Sequence, residues 1–405
     1  MKILLLLCLI LLPACGFCES SAEIWTATDM HYIAPTLTDH GAYFTKLVEN
    51  ADGKTMMYSE ELMDAFVAQV IDRHPQALIL SGDLTFNGAR QSHEALAAKL
   101  ETIEAAGIPV FVIPGNHDLY SGSAARFEGD GYERMESVTR EEFEAIYHAF
   151  GPDDALAHAP DSMSYTAALS ENLRLLMLDT NTKAAPNAVS EATLSWVSAQ
   201  LADAKSAECE IIAVSHQNLV THSSLISTGF TIQNADVLVR LYADAPVLCN
   251  LSGHIHLQHM GRTDAGLWDI ATSSLAVSPN QYGVLTLTDD ALTYHTESVD
   301  VSVWAEARRL SDPNLLHFAE YARDFFAQTS RRQALASIAE DEAPEELADF
   351  FAALNAAYFA GRMDAFETDE ALLNRWRKQN GFLAMYVESM AGEERGDWCE
   401  AVIER

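Results

Sequence analysis

Cationic side chains are scarce in this 405-residue chain: 25 Lys and Arg stand against 59 Asp and Glu, a formal charge of -34. A surface of that sign repels polyanions instead of gaining affinity through counterion release, which excludes long nucleic acid as a partner. The acidity is not confined to a tail, so it reads as a solvated face. Cysteine is scarce too, with six residues in all. Cys8 and Cys15 fall in the N-terminal segment, and Cys18, Cys209, Cys249 and Cys399 are scattered with no CxxC spacing. Neither a zinc ribbon nor a disulfide framework is indicated. Cys209 and Cys249 adjoin apolar strand-like runs, where free thiols are commonly buried. After residue 20 no apolar run is long enough to cross about 30 Å of hydrocarbon as a helix.

What is present begins with the export signal. In residues 1–20, MKILLLLCLILLPACGFCES, Lys2 precedes an apolar run from Ile3 to Leu12 that Pro13 interrupts. The run is too short to span a bilayer and reads as a signal peptide. Leu12-Pro13-Ala14-Cys15 resembles a bacterial lipobox, which implies cleavage before Cys15 and lipidation of that cysteine; simple cleavage a few residues later is the alternative. The remainder is therefore expected outside the cytoplasm, on a lipid anchor at the cell surface or secreted.

At 49% hydrophobic residues the chain can bury a large core, and its length allows two or three domains. Residues 22–300 alternate short β-rich runs with longer amphipathic stretches, the pattern of an α/β domain. Candidate strands begin near Ile24, Ala77, Val110, Leu173, Ile211, Val247, Leu267, Gly283 and Leu292, and candidate helices near Ser59, Gly88, Arg140, Ser190 and Asn234. Residues 33–58 and 120–138 read as long loops. From Val301 the texture turns rich in Ala, Glu, Arg and aromatics without strand signals, so residues 301–405 are expected to form an all-α domain. Its expected task is to pack on the α/β domain and shape one wall of the cleft, or to hold a partner.

Five strand-like runs end in polar clusters of metal-ligand type: Asp29-Met30-His31, Gly82-Asp83, Gly115-Asn116-His117-Asp118, Ser215-His216 and Gly253-His254-Ile255-His256. In open α/β sheets the crevice lies beyond the carboxyl ends of the strands, so five such clusters can build one site. Asp29 with His31, and His254 with His256, are two residues apart and would point the same way in extended backbone. Carboxylate, imidazole and amide oxygen suit manganese, iron or zinc, and no thiolate is present to select softer ions. Glycines at 82, 115 and 253 would let the backbone turn sharply and approach the ions.

The order DxH, GD, GNHD, H, GHxH resembles the calcineurin-like metallophosphoesterases across residues 24–298, and within them the class III cyclic nucleotide phosphodiesterases. The loops and the helical appendage are similar to an exported bacterial branch of that group. The resemblance implies a four-layer αββα sandwich with a dinuclear centre at the sheet ends. It implies Asp29, His31 and His256 on one ion, Asn116, His216 and His254 on the other, and Asp83 on both. His117 would be a non-ligand acid with Asp118 as its orienting neighbour. Two departures from the family pattern stand out. Asp83 follows Asp29 by 54 residues, a long gap that residues 33–58 fill, and His216 precedes Gln217-Asn218 where many relatives carry a proline. His222 is the nearby alternative to His216.

A centre of this kind would supply two ions that acidify a water, lowering its pKa from about 15.7 toward 7, so that hydroxide would be available at neutral pH to attack phosphorus in line. A positioned imidazole, here His117, would protonate the departing alkoxide. Arg262 and Asn280-Gln281-Tyr282 lie beyond the last ligand cluster and are candidates, with Asn116 and His117, to reach substrate. His40, His74, His93, His148, His158, His259, His295 and His317 have no partner pattern and are expected at the surface or in packing. The expected activity is hydrolysis of a small phosphodiester such as a cyclic nucleotide. A nucleotidase or broad phosphomonoesterase is the enzymatic alternative. A cell-surface scaffold is the non-enzymatic one, disfavoured because every ligand position holds a competent residue.

Overall fold

The computed structural model of the chain describes residues 23–339 and 341–405, so the expected signal peptide and the expected lipidation site Cys15 lie outside the described residues. Two sheets face one another. The first has six strands in the order Glu400–Glu404, Ala291–Ser298, Gln281–Leu287, Glu23–Ala27, Ala77–Leu80 and Val110–Val112. The last three are mutually parallel, and the others pair antiparallel. The second has seven, in the order His259–Arg262, Trp268–Ala271, Val247–Ser252, Glu210–Ser215, Leu173–Leu178, Tyr165–Ala168 and Ala157–His158, with a parallel centre of four strands. Strands buried on both faces read as continuous apolar runs, and Ala77–Leu80, Ala-Leu-Ile-Leu, is buried at every position.

Three apolar clusters make the four layers. Between the sheets, Ile24, Ile79 and Phe111 meet Leu175, Met177, Val214 and Leu251. Outside the first sheet, Trp25, Leu78 and Leu80 pack under the helices Ser59–Arg73 and Arg90–Ala105. Outside the second, Leu176, Leu178 and Ala213 pack under Glu191–Ser206 and Ala235–Ala243. Local chemistry sets several helix starts. Thr139 and Glu142 form a reciprocal capping box for Arg140–Tyr147, and the Ser190 hydroxyl accepts from Thr193 N, each contact contributing about 1 kcal/mol. The fold is thus the α/β sandwich implied by the resemblance.

Helices between Val301 and Gly392 form the C-terminal region. Phe318–Ser337 lies against Pro344–Phe359, and Trp376 is fully buried with its indole N–H donated to Leu347 O at 3.0 Å. The expectation of no strand in this region fails at Glu400–Glu404, which returns to the first sheet and pairs with Ala291–Ser298. Only Ile403 of that strand is buried, so it carries no apolar run that a sequence could advertise. The two expected loops also hold structure: helix Ala42–Glu49 in the first, and the hairpin Ala125–Glu128 with Gly131–Arg134 in the second. Cys209, Cys249 and Cys399 are buried free thiols. Among the described residues no helix is long and apolar enough to cross a membrane.

His93 is a packing histidine with a definite task. Its Nε2–H donates to Asp118 O at 3.0 Å and its Nδ1 accepts from the Tyr147 hydroxyl at 3.0 Å, so it braces the Gly115–Asp118 turn from behind. Burial pushes its pKa down to about 3. The unfolded chain takes up a proton near pH 6.5 that the folded one refuses, so this part of the stability is present above pH 6.5 and is lost as pH falls toward 3. Denaturant titrations between pH 7 and 4 are expected to show wild type losing roughly 3 kcal/mol more than His93→Gln; equal slopes would remove His93 from the account.

Candidate metal centre

The strands stop just before the clusters, at Ala27, Leu80, Val112, Ser215 and Ser252. Beyond them the DxH and HxH pairs do not adopt the extended backbone expected. Asp29, His31, Asp83, His254 and His256 all have left-handed backbone, with φ of 51°, 44°, 47°, 68° and 63°. A non-glycine residue there costs on the order of 1 kcal/mol, and such strain persists only where its surroundings over-determine it. The bracing is visible: Asp29 N donates to Gly82 O, His31 N to Asp83 O, His117 N to Asp83 Oδ1 and His254 N to Asp29 Oδ2, at 2.8–3.0 Å. Close approach explains two glycines. A Cβ on Gly115 would lie 2.1 Å from Asp83 N, and one on Gly253 would lie 2.0 Å from Thr28 Oγ1.

These turns gather two donor groups that share one carboxylate. Asp29, His31, Asp83 and His256 offer atoms within 4.8 Å of one another, and so do Asp83, His216 and His254. Asp83 Oδ2 faces His31 Nε2 at 3.9 Å, while its Oδ1 faces His216 Nε2 at 3.3 Å. Asn116 Oδ1 lies 3.1 Å from the same His216 nitrogen. In the first group His256 Nε2 stands 3.1 Å from His31 Nε2 and 3.2 Å from Asp29 Oδ1. Asp29 Oδ1 and His31 Nδ1 are buried without hydrogen-bond partners. A buried carboxylate oxygen without a donor is expensive, and a cation removes the cost. The residues present therefore fit two metal ions held by oxygen and nitrogen.

Carbonyl groups set the imidazole tautomers, since a carbonyl can only accept. His216 Nδ1–H donates to Ser81 O at 2.9 Å, and His254 Nε2–H donates to Gly229 O at 3.0 Å. Each ring thus turns its lone-pair nitrogen inward, as a ligand must. Burial, reinforced by the charge of His216, holds His254 down to about 4, and burial with the Lys54 ammonium holds His31 well below its usual value. Burial opposes ionisation of Asp83, but His216, His117 and His31 together outweigh it and hold that carboxyl well below the usual carboxylate range. For His216 the signs are reversed: burial lowers its pKa, and Asp83 with Asp29 and the Ser81 carbonyl overcomes this to raise it to about 9. The two share a proton that a cation would displace.

The remaining expected residues separate. His117 stands at the edge of the cluster, half-exposed, with Nε2 3.9 Å from Asp83 Oδ2. Asp118 does not orient it; the Phe86 carbonyl does, accepting from His117 Nδ1 at 3.2 Å. The Asp118 carboxylate is consumed by the N–H groups of Leu84, Thr85 and Gly115 and by the Thr85 hydroxyl, so it ties the Asp83 turn to the Asn116 turn. Arg262 lies outside the site. Strand His259–Arg262 runs antiparallel to Trp268–Ala271, pairing His259 with Ala271 near the site and Arg262 with Trp268 roughly 10 Å away. Its guanidinium stacks on the Trp268 ring. His222 donates to Asp269 Oδ2 at 3.1 Å and stands beside His259, apart from both donor groups. Asn280 and Tyr282 are committed to packing, Asn280 to Leu275 O and Tyr282 to a stack on Trp25. Two residues near the cluster carried no recognisable signal. Asp52 Oδ2 lies 3.7 Å from His256 Nδ1, and Lys54 pairs with Asp52.

The chain matches the family model for calcineurin-like phosphoesterases over residues 23–258, and the model for the C-terminal domain of cyclic nucleotide phosphodiesterase over residues 300–397. A probable glycerophosphodiester phosphodiesterase of Arcobacter nitrofigilis is 25% identical over 249 residues, which cover 58% of this chain and 76% of that protein. A dimetal phosphatase from Danio rerio superposes with a TM-score of 0.50 at 15% identity, covering 69% of this chain and 96% of that one, a likeness of fold.

Gly253→Ala is expected to push Thr28 and Asp29 apart from the 254–256 turn and to lower bound metal, by elemental analysis, to below half the wild-type content with the far-ultraviolet dichroism unchanged. Gly122→Ala, where a Cβ meets nothing within 4 Å, should leave both readings alone. Full metal content in Gly253→Ala would show that this close approach does not shape the site.

Proposed function

The chain belongs to the calcineurin-like phosphoesterase family and is a metal-dependent phosphoric ester hydrolase, and from that premise we propose that it hydrolyses small phosphodiesters of the cyclic nucleotide kind. The match of residues 300–397 to a cyclic nucleotide phosphodiesterase domain supports the diester, as does a relative named as a phosphodiesterase. The acidic surface supports a small substrate over a polyanion.

One observation carries the mechanism: Asp83 presents one oxygen to each of two donor groups. In this reading Asp29, His31 and His256 hold one ion, Asn116, His216 and His254 the other, and Asp83 both, with manganese, iron or zinc as the candidates. When bound, the ions supply Lewis acidity toward the phosphoryl oxygens and acidify a water. The chain's own residues do the rest. Ser81 O and Gly229 O keep two imidazoles in the ligand tautomer. Asp118 holds two ligand-bearing turns in register. His117, with Nδ1–H fixed on Phe86 O, has Nε2 free to carry a proton to the leaving oxygen, a role worth about 10²–10⁴-fold. The apolar run from Ile3 to Leu12 and the lipobox-like stretch ending at Cys15 support a location outside the cytoplasm on a lipid anchor.

The soluble fragment lacking residues 1–20 is expected to prefer bis-p-nitrophenyl phosphate to the monoester and to turn over a cyclic nucleotide. Asp83→Ala should lose metal and activity together, whereas His117→Ala should retain both metal equivalents and lose 10²-fold or more in kcat on an alkyl ester with a poor leaving group. Wild-type rates for His117→Ala on that ester would remove the acid role, and a strong monoester preference would replace the diesterase reading with a phosphomonoesterase.

A further inference from the structure

The Gly253–His256 turn has two sides. His254 and His256 face the centre, while Ile255 and Leu257, 6% and 1% exposed, are buried in the core of the C-terminal helical region with Leu347, Phe351 and Tyr386. The helical core is therefore built directly on the back of the motif that carries two candidate ligands. A turn with two left-handed residues needs such support.

Two further bridges run from the helices to the same pair of histidines. For His254 the bridge is the stretch from Leu225 to Phe230, whose apolar side chains join the helical core. Its Gly229 O accepts a hydrogen bond from His254 Nε2–H, and the Phe230 ring lies 4.8 Å from the His254 ring. For His256 the bridge is the turn after helix Ala42–Glu49. Helix Phe318–Ser337 clamps that turn at three points: Arg332 donates to Glu49 O, Gln333 donates to Ala51 O at 3.2 Å, and the Phe326 ring occupies the space where a Cβ on Gly53 would sit, 2.5 Å away. Gly53 has φ +89°, so the turn is built for glycine at that point. The clamp places Asp52 behind His256 Nδ1 and sets Lys54, 7% exposed, against Asp52. Without its carboxylate partner the Lys54 ammonium would be an uncompensated positive charge beside the ligands.

We propose that the C-terminal helical region is a positioning wall of the metal centre: it holds His254 through Gly229 and His256 through Asp52, and so sets the affinity for the metal ions. This rests on the dinuclear reading above. Asp52, Phe326 and Gly229 are positioning residues, acting through ligands and touching no substrate.

The test is metal titration of the chelated soluble fragment with manganese, followed by calorimetry and by the metal-induced rise in melting temperature. Asp52→Ala is expected to weaken one of the two ions 10- to 100-fold and leave the other within threefold. Phe326→Ala should do the same, and Leu201→Ala, a cavity of similar kind beneath the second sheet, should lower melting temperature without moving either affinity. At saturating manganese kcat and KM of Asp52→Ala should return to within threefold of wild type. Should Phe326→Ala not fold, Asp52→Ala alone decides. Two wild-type affinities in Asp52→Ala, or a kcat loss that excess manganese does not restore, would overturn the positioning role. A wild-type fragment binding fewer than two ions would instead overturn the dinuclear reading itself.

Discussion

Two carboxylates, Asp29 and Asp83, are buried within a few ångströms of one another and of several imidazoles, and their charge must be compensated where water cannot reach. Moving a carboxylate out of water costs several kcal/mol even after relaxation. Backbone N–H groups provide part of the compensation, from His117 to Asp83 and from His254 to Asp29. His216 provides more by sharing a proton with Asp83. The Asp29 oxygen without a donor marks where internal compensation ends and a cation fits. Backbone strain and glycine placement stem from this requirement, because five turns must present donors inward at a spacing that regular strands do not reach.

The α/β alternation and the five clusters were legible because each rests on residue type. Parallel strands buried on both faces, such as Ala77–Leu80, leave uninterrupted apolar runs. A site that binds hard and borderline cations needs carboxylates and imidazoles, and five clusters of them, each following an apolar run, are visible from residue type alone. What could not be read was geometry set at long range. The convergence of His254 with His256 was correctly expected but for the wrong reason, since left-handed turns aim them and not an extended strand. Asp118 sits next to His117 in sequence yet serves the backbone of Leu84, Thr85 and Gly115, because its side chain points into the interior. Arg262 is close to His256 along the chain but far along the sheet, because the chain reverses between them.

Asp52 and Lys54 show a second kind of illegibility. They sit in a polar stretch where an acidic and a basic residue around a glycine are unremarkable. Two distant segments hold this stretch: the helix Phe318–Ser337, more than 250 positions later, whose Arg332 and Gln333 grip the backbone carbonyls of Glu49 and Ala51, and residues 276–277, which pair with Lys54 and Thr55. Carbonyls carry no sequence information, so such a clamp leaves no motif. Only the Gly53 position, filled from outside by an aromatic ring, needs a particular residue.

Charge also bears on which esters such a centre can accept. A net charge of -34 sets up a negative potential, but at physiological salt its reach is limited to about 8 Å. A long polyanion would feel that repulsion along its whole length, whereas a small ester feels it only during its approach. A diester carries one negative charge and a monoester close to two, so the same field penalises the diester less on entry. Inside, the order reverses, because a doubly charged ligand gains more from two cations. For the proposed diester substrate, a net negative charge therefore favours the singly charged ester in the rate of encounter, and two bound cations would favour the doubly charged one in retention. Solvent reaches the centre at the half-exposed edge near His117 and Asn116, so that edge is where a small ester would enter and leave.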